Sequence, residues 1–239
     1  MAHYSRGTRQ PALGLSSHLA GTGQVADDLY LIGHHERDGN PYLSPRALGV
    51  GLAGGLLAEL MDAGIPAVTF NRGCLVPVRA ANGVPVARSL RIDDPVRKRV
   101  LDQVIAEPEP LLARDWLLFF AQTAAADVAG RLERAGYLSR RARRIPRRSR
   151  RLVPGDRDWA HMALVRAYTA LNTTGTPDPY TAILAGLAFA SGLGFRFAGL
   201  ADTPARSPGQ AIRMLSPPMQ ELIAHTQATA DSALLAQRR

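Results

Sequence analysis

The sequence predicts a mainly α-helical domain with a small β element and a protruding basic β hairpin. Only 6% of the residues are aromatic, whereas alanine, leucine and glycine are abundant, and this mixture favours closely packed helices over a β sandwich. Helix start signals of the Ser-Pro and Asp-Pro type recur along the chain. The 239 residues are enough to bury a sizeable core. We therefore expect one domain over residues 24–236, preceded by a flexible arm over residues 1–23.

The first well-marked helix begins after Ser44. Ser44 suits the N-cap, Pro45 suits the first helical position, and Gly64 suits the left-handed residue that ends a helix. Leucines recur between these limits at helical spacing and predict an apolar stripe. Residues Gly49–Gly54 match the dinucleotide fingerprint G-x-G-x-x-G, but that motif needs its glycines in the turn between a strand and a helix. Inside a helix, we expect them to let another helix approach closely.

The other elements follow from apolar spacing and turn residues. Residues 26–34 form an apolar run with acids at its start, which fits a helix or a strand. Residues 66–89 predict short strands joined by turns. A helix follows Asp94-Pro95, and residues 111–135 predict one long helix that Gly136 ends. Further helices are predicted at about 159–172, 179–195, 208–214 and 216–236.

One segment carries most of the net charge. The formal net charge is +9 at pH 7, and residues 140–151 contribute +8 of it without a single acid. Pro146 and Pro154 exclude one continuous helix here, so we predict a basic hairpin over about residues 137–153. Its arginines, all candidate membrane-binding residues, are Arg140, Arg141, Arg143, Arg144, Arg147, Arg148, Arg150 and Arg151.

Eight like charges in twelve residues repel one another unless an anion lies against them. An anionic leaflet stabilises each nearby arginine by about 1 kcal/mol. Nucleic acid satisfies the same electrostatics, but only Tyr137 and Trp159 flank the segment as stacking residues. A solvated or oligomer-forming segment is the third interpretation. We favour an anionic phospholipid surface over nucleic acid, with shallow insertion of Leu138 and Ile145.

No motif indicates catalysis or metal binding. Cys74 is the only cysteine, which excludes an intramolecular disulfide and a cysteine-based zinc site. His34-His35 lacks the spacing of a helical metal site and predicts a polar loop. Neither a P-loop nor a G-x-S-x-G nucleophile motif occurs. We expect no metal, no cofactor and no enzymatic activity. An enzyme whose site is assembled from distant residues stays open as an alternative.

The hydropathy pattern predicts peripheral contact with a membrane. The best candidate for a spanning segment, Ala182–Phe195, has 14 uncharged residues, against about 20 for a spanning helix. We expect it to be a buried core helix. The N-terminal residues lack the apolar region of a secretory signal. These patterns predict a cytosolic protein bound to the cytosolic face of a membrane.

Four segments in fixed order resemble the Golgi phosphoprotein 3 family: DDLYLIGHHERDG, ALGVGLAGGLLAELMDAGIP, GRLERAGYL and DPYTAILAGLAFASGLG. The resemblance covers about residues 24–235. It implies one mostly helical domain with a protruding hairpin, and a peripheral protein that binds phosphatidylinositol 4-phosphate on the cytosolic face of the Golgi. It also implies recruitment of glycosyltransferase cytosolic tails and homo-oligomerisation through the hairpin, whose place the arginine segment takes. The preference for arginine over lysine along the chain suggests a bacterial relative. Its physiological lipid would then differ from that of the Golgi.

The positions of the family's lipid pocket can be assigned in this chain, but the residues at them differ. Its tryptophan falls at Ser44, one arginine at Ala53, and a pair of helical arginines at Gln122 and Ala125. None of these residues supplies aromatic stacking or bidentate phosphate contacts. Arg46 is the nearest local substitute. The resemblance therefore implies that Arg46 and Gln122 shape a head-group pocket, and that anionic lipids are bound with little selectivity.

Overall fold

A computed structural model describes residues 21–62, 67–81, 83–86, 92–140, 152–155, 158–198, 200 and 206–236. Within these residues the chain is mainly helical and contains two small antiparallel sheets, as the sequence predicts. The helices are α1 (Val25–Gly33), α2 (Pro45–Met61), α3 (Pro95–Ala106), α4 (Ala113–Ala121), α5 (Ala124–Arg134), α6 (Asp158–Asn172), α7 (Pro179–Ala190), α8 (Pro208–Ile212) and α9 (Pro217–Ala236). The strands are β1 (Val68–Asn71), β2 (Cys74–Pro77), β3 (Leu111–Leu112), β4 (Leu138–Arg140) and β5 (Leu152–Pro154).

Helix α2 lies at the centre of the fold. All of its residues from Ala47 to Leu60 are buried, and it contacts α1, α3, α4, α5, α7 and α9. The sequence predicted an apolar stripe along one side of α2, but the helix is buried on all sides because neighbouring helices surround it. Its predicted start is confirmed, since the Ser44 hydroxyl accepts a hydrogen bond from the Ala47 N–H at 3.2 Å. Gly64 lies outside the described residues.

The glycines of α2 allow its neighbours to approach closely. A Cβ at Gly49 would overlap the carbonyl oxygen of Ala121 at the end of α4. At Gly55 it would lie 2.9 Å from the Cα atom of Ala26 in α1. Because both obstacles are backbone atoms, only glycine fits without moving a helix. The other two glycines of the fingerprint-like spacing, Gly51 and Gly54, lie against Ser191 and Thr226, so that helix packing explains the spacing, as predicted.

The first sheet confirms one prediction and corrects another. Strands β1 and β2 pair as a hairpin, with Asn71 opposite Cys74, and both central turn residues, Arg72 and Gly73, have positive φ angles of 51° and 78°. Such angles match the right-handed twist of the two strands. The third strand is β3, whose Leu111 pairs with Leu75, although a helix was predicted there. Within the region 66–89 that was predicted to form strands, Arg79 and Pro85 form an isolated antiparallel bridge, and residues 87–89 lie outside the described residues.

The predicted long helix at 111–135 is wrong in two respects. Its first two residues form β3, because the exposed edge of β2 accepts them as a partner strand. The rest divides at Gln122-Thr123 into α4 and α5, both of which pack against α2. A straight helix of 25 residues would be about 37 Å long and would leave α2. Gly136, with φ of 82°, ends the segment as predicted.

The two ends of the predicted basic hairpin pair as antiparallel strands. Leu138 lies opposite Pro154, and Arg140 lies opposite Leu152. Residues 141–151, which include seven of the eight candidate arginines and Ile145, lie outside the described residues. Leu138 is only 4% exposed and packs in the core. Its predicted insertion into a membrane is therefore wrong, because the side chain is already buried in the protein.

Within the run 26–34, all residues up to Gly33 prove to be helical and His34 follows as the extended C-cap, and most C-terminal helices lie close to their predicted limits. Helix α7 ends at Ala190, earlier than predicted, because Gly192 has a φ angle of 92° and starts a turn into a short 3₁₀ helix at Gly194–Phe197. As expected, α7 is a core helix, almost entirely buried. Among the described residues no helix is both long and apolar enough to span a bilayer.

Candidate functional site

Arg46 and Gln122, predicted to shape a head-group pocket, line the same surface groove. The groove lies between the first turn of α2 and the end of α4 and has a volume of about 460 Å³. Both side chains are exposed. The other lining residues are Pro45, Leu118, Ala121 and Ala125. The groove therefore combines one guanidinium and one amide with an apolar floor.

The shape of the groove follows from how α2 meets α4. Because Gly49 has no side chain, the backbone at Ala121 packs directly against α2. The break at Gln122-Thr123 then turns the chain into α5, so that Ala125 faces the same opening. Two helices that diverge from a close contact leave a wedge between them. Arg46, one turn before Gly49, lies at the rim of this wedge.

Arg46 occupies an electrostatically unfavourable position for a cation. It lies in the first turn of α2, where the helix dipole gives a partial positive charge. Such a placement destabilises an arginine by a few tenths of a kcal/mol to about 1 kcal/mol. An anion in the groove would meet both the guanidinium and the helix terminus, which favours anion binding.

The four positions carried over from the family pocket separate in space. Gln122 and Ala125 line the groove. Ser44 instead caps α2 through its hydroxyl, and Ala53 is fully buried two turns along α2. The groove thus presents half of the positions that the resemblance implies, and neither of those two carries a positive charge.

Arg140 is the only candidate of the basic hairpin within the described residues. Its guanidinium forms two hydrogen bonds to Glu133, at 2.6 Å from Nε and 3.1 Å from Nη2. These bonds lower the pKa of the Glu133 carboxyl. The charge of Arg140 is therefore partly balanced within the protein. The interpretation of the segment as an unbalanced positive patch now depends on residues 141–151.

Sequence reasoning missed a buried ionic cluster around Arg131 of α5. Arg131 donates from Nε to Asp27 Oδ1 at 2.7 Å and from Nη1 to Asp94 Oδ2 at 2.6 Å. It also binds both carboxylate oxygens of Glu59, at 3.0 and 3.1 Å. Glu59 in turn accepts a hydrogen bond from the Ala26 N–H at 2.9 Å. The cluster ties α1, the last turns of α2, the start of α3 and α5 together.

The carboxyl groups of this cluster have shifted pKa values. Burial raises the pKa of Asp27 to about 7, although Arg131 acts in the opposite direction. Burial likewise raises the pKa of Glu59. Burial also acts to raise the pKa of Asp94, but hydrogen bonds and charge from Arg131 outweigh it and lower the pKa overall. Burial is therefore the main reason that the pKa of Asp27 lies so far above its ordinary value, and the nearby charge of Glu59 adds to the rise.

A second buried pair fixes α1 to α6 and α7. Arg166 Nε donates to Asp28 Oδ2 at 2.8 Å, and the Tyr180 hydroxyl donates to the same oxygen at 2.8 Å. Burial raises the pKa of Asp28. The acids at the start of the run 26–34 were the only sequence signal for either cluster. Their arginine partners lie more than 100 residues away, at Arg131 and Arg166.

The clusters are suited to holding helices together. The side chains of Asp27, Glu59 and Arg131 are no more than 7% exposed, so that no substrate can reach them. Among the described residues no group of three or more His, Cys, Asp or Glu side chains is arranged to hold a metal ion. The accessible groove at Arg46, in contrast, offers one cation and an apolar floor, which is a binding arrangement.

A model of a known protein family matches most of the chain. The family model described as Golgi phosphoprotein 3 (GPP34) matches residues 25–229. No curated protein matches the chain. The matched range covers most of the chain, including the α2 and α4 residues of the groove and both ionic clusters.

Proposed function

The chain belongs to the Golgi phosphoprotein 3 family, and from this premise we propose that it is a non-enzymatic peripheral membrane protein that binds anionic phospholipid head groups. The observation that carries the proposal is the groove where Arg46 and Gln122 meet. A phosphate at this place would accept hydrogen bonds from the Arg46 guanidinium and lie at the positive end of α2. The apolar floor suits the glycerol and first acyl carbons of a lipid.

The composition of the groove argues for low selectivity among head groups. One guanidinium can bind one phosphate in bidentate fashion, but a phosphorylated inositol carries a second anionic group that needs its own cation. Gln122 and Ala125 supply no charge at the positions that the family resemblance assigns to arginines. We therefore propose that head groups with a single phosphate charge are bound about as well as phosphatidylinositol 4-phosphate.

The arginines of residues 140–151 add long-range attraction to this proposal. Arg140 is paired with Glu133, which leaves +7 in residues 141–151. At about 1 kcal/mol for each arginine near an anionic leaflet, engagement of half of them gives stable adsorption.

Self-association through the hairpin and recruitment of membrane-protein tails on the cytosolic face belong to the same proposal. Analytical ultracentrifugation of the full chain tests the first of these, with a monomer at all concentrations as the opposing result.

Vesicle flotation with a charge-reversed groove tests the central claim. Full-length protein is mixed with phosphatidylcholine vesicles that contain increasing phosphatidylglycerol, at low and high salt. We expect Arg46→Glu to weaken binding by about 2 kcal/mol, since one favourable charge becomes unfavourable. Arg213→Glu is the matched control, because Arg213 is exposed after α8 and lies outside the groove.

Two further arms of the flotation experiment decide between interpretations. Vesicles with phosphatidylinositol 4-phosphate at matched net charge should give equal binding, and a large preference for them would contradict the low selectivity. Duplex DNA at the same ionic strength should compete weakly. Equal flotation with neutral vesicles, or equal effects of Arg46→Glu and Arg213→Glu, would refute the proposed site.

A further inference from the structure

Two exposed apolar side chains lie on one side of α4, beside the groove. Leu112, at the N-cap of α4, is 54% exposed, and Phe119 is 50% exposed. They are seven residues apart and so lie on the same side of the helix. Phe119 precedes Gln122 by three residues, which places it one turn from the groove on that side. We call Leu112 and Phe119 the α4 ridge.

The ring of Phe119 is held in place although half of it meets water. It packs edge-on against Trp116 and Phe120, with ring centroids 6.0 and 5.2 Å apart. Trp116 and Phe120 are themselves buried and stacked on each other at 5.3 Å. The three rings thus form a rigid support that presents one face of Phe119 outward. A preordered apolar side chain loses little conformational entropy when it is covered.

We propose that the α4 ridge enters the interfacial region of an anionic bilayer while the groove holds a lipid head group. This inference rests on the proposed function and adds an apolar component to it. Phe119 follows Leu118, which lines the groove, and lies one helical turn before Gln122, so the ridge lies next to the groove on α4. Phenylalanine and leucine are typical of the apolar face of helices that lie in the membrane interface, and Arg46 in the adjacent groove would then meet the phosphates of the same leaflet.

The size of the ridge favours a bilayer over a protein partner. Its exposed surface amounts to roughly 200 Å², from half of one aromatic and half of one leucine side chain. A stable protein interface buries about 800 Å² on each partner. A bilayer sets no such minimum, because charge attraction and shallow insertion of a few side chains add together. We therefore assign a lipid surface, and not a protein, as the partner of the ridge.

Trp116 provides a local reporter of insertion. The chain has two tryptophans, and Trp159 is buried against Tyr137, 4.7 Å away. In a Trp159→Phe background all tryptophan fluorescence comes from Trp116. Vesicles of phosphatidylcholine and phosphatidylglycerol are prepared with lipids brominated either near the head group or deep in the acyl chain. We expect strong quenching by the shallow bromines and weak quenching by the deep ones.

Substitutions in the ridge measure its share of the affinity. Burying half of the exposed Phe119 surface, roughly 50 Å², corresponds to a change of about tenfold in vesicle affinity. We expect Phe119→Ser to weaken binding by that factor and Phe119→Trp to preserve it. Met214→Ser is the matched control: Met214 is 44% exposed and shares a cavity with Met61. It thus lies at the far end of α2, about 24 Å from Pro45.

Each outcome separates the ridge from the groove. Suppose that Phe119→Ser and Met214→Ser bind vesicles equally, that binding still depends on salt, and that Trp116 is not quenched. This result would refute insertion of the ridge and leave the proposed function intact. Absence of binding to every vesicle overturns both. If Phe119→Ser changes the sedimentation of the lipid-free protein but not its vesicle affinity, the ridge contacts protein and the inference is wrong.

Discussion

Replacing Arg131 by methionine would leave three buried carboxyl groups without their shared cation. The guanidinium forms four hydrogen bonds of 2.6–3.1 Å to Asp27, Glu59 and Asp94. Removing one partner of a buried ion pair destabilises a protein by about 3–5 kcal/mol. The three losses do not add, because Asp27 and Glu59 already have raised pKa values and can take up protons. We expect a loss of about 4–5 kcal/mol at pH 7, a large part of a typical unfolding free energy of 5–15 kcal/mol.

The loss should depend on pH in a defined direction. Without Arg131 the folded-state pKa values of the carboxyl groups rise further, so that the folded variant binds more protons than the unfolded chain. Its stability relative to the parent protein therefore falls as pH rises, by about 1.4 kcal/mol per pH unit for each proton concerned. The variant should be closest to the parent near pH 5.

Urea unfolding followed by far-UV circular dichroism at pH 5, 6 and 7 measures this effect. Arg134→Met is the matched control, because Arg134 is an exposed arginine in the last turn of the same helix. Its loss should cost no more than about 1 kcal/mol, mainly through the helix dipole. If Arg131→Met unfolds at the same urea concentration as Arg134→Met, the cluster does not stabilise the fold and the reasoning is wrong.

Three further substitutions test the packing and the electrostatics. The pKa of Asp27 rises from 3.8 to about 7 on folding, so Asp27 destabilises the fold as pH rises through this window. Between pH 4 and pH 7, Asp27→Asn should therefore gain about 3 kcal/mol of stability relative to the parent. A constant difference between the two proteins in urea unfolding would contradict the shift. Gly55→Ala should lower the unfolding free energy by about 1–3 kcal/mol, because its Cβ meets the backbone of Ala26 at 2.9 Å. Gly175→Ala is the control and should melt like the parent, since no atom lies within 4 Å of its Cβ. Ser44→Ala removes the N-cap bond of α2 and should lower the unfolding free energy by about 1 kcal/mol; Ser44→Asp should restore it.

The sequence identified elements wherever short-range chemistry decides the structure. The start of α2 depends on Ser44 and Pro45, which act within one helical turn. The β1–β2 hairpin depends on two turn residues with positive φ angles. The family resemblance pairs Arg46 with Gln122, and both residues line one groove. Each of these signals lies in a few consecutive residues or in a fixed order of segments.

The long helix that proved to be two shows where local signals fail. Residues 111–135 have helical spacing throughout, but α4 and α5 must both reach α2, and this requirement breaks the helix at Gln122-Thr123. Likewise, Leu111-Leu112 pairs with β2 because that strand has a free edge. Neither constraint can be inferred from residues 111–135 alone.

The sequence by itself determined the family, the mainly helical class and the central helix with its glycines, because local hydrogen bonding and residue size control those features. The tertiary structure alone decided which charges meet. Arg131 lies 104, 72 and 37 residues from its three partners, and Arg140, which belongs to the basic segment in the sequence, is paired with Glu133 in the fold. Charge is a property of the residue, whereas its compensation depends on burial and distance, and these exist only after the chain has folded.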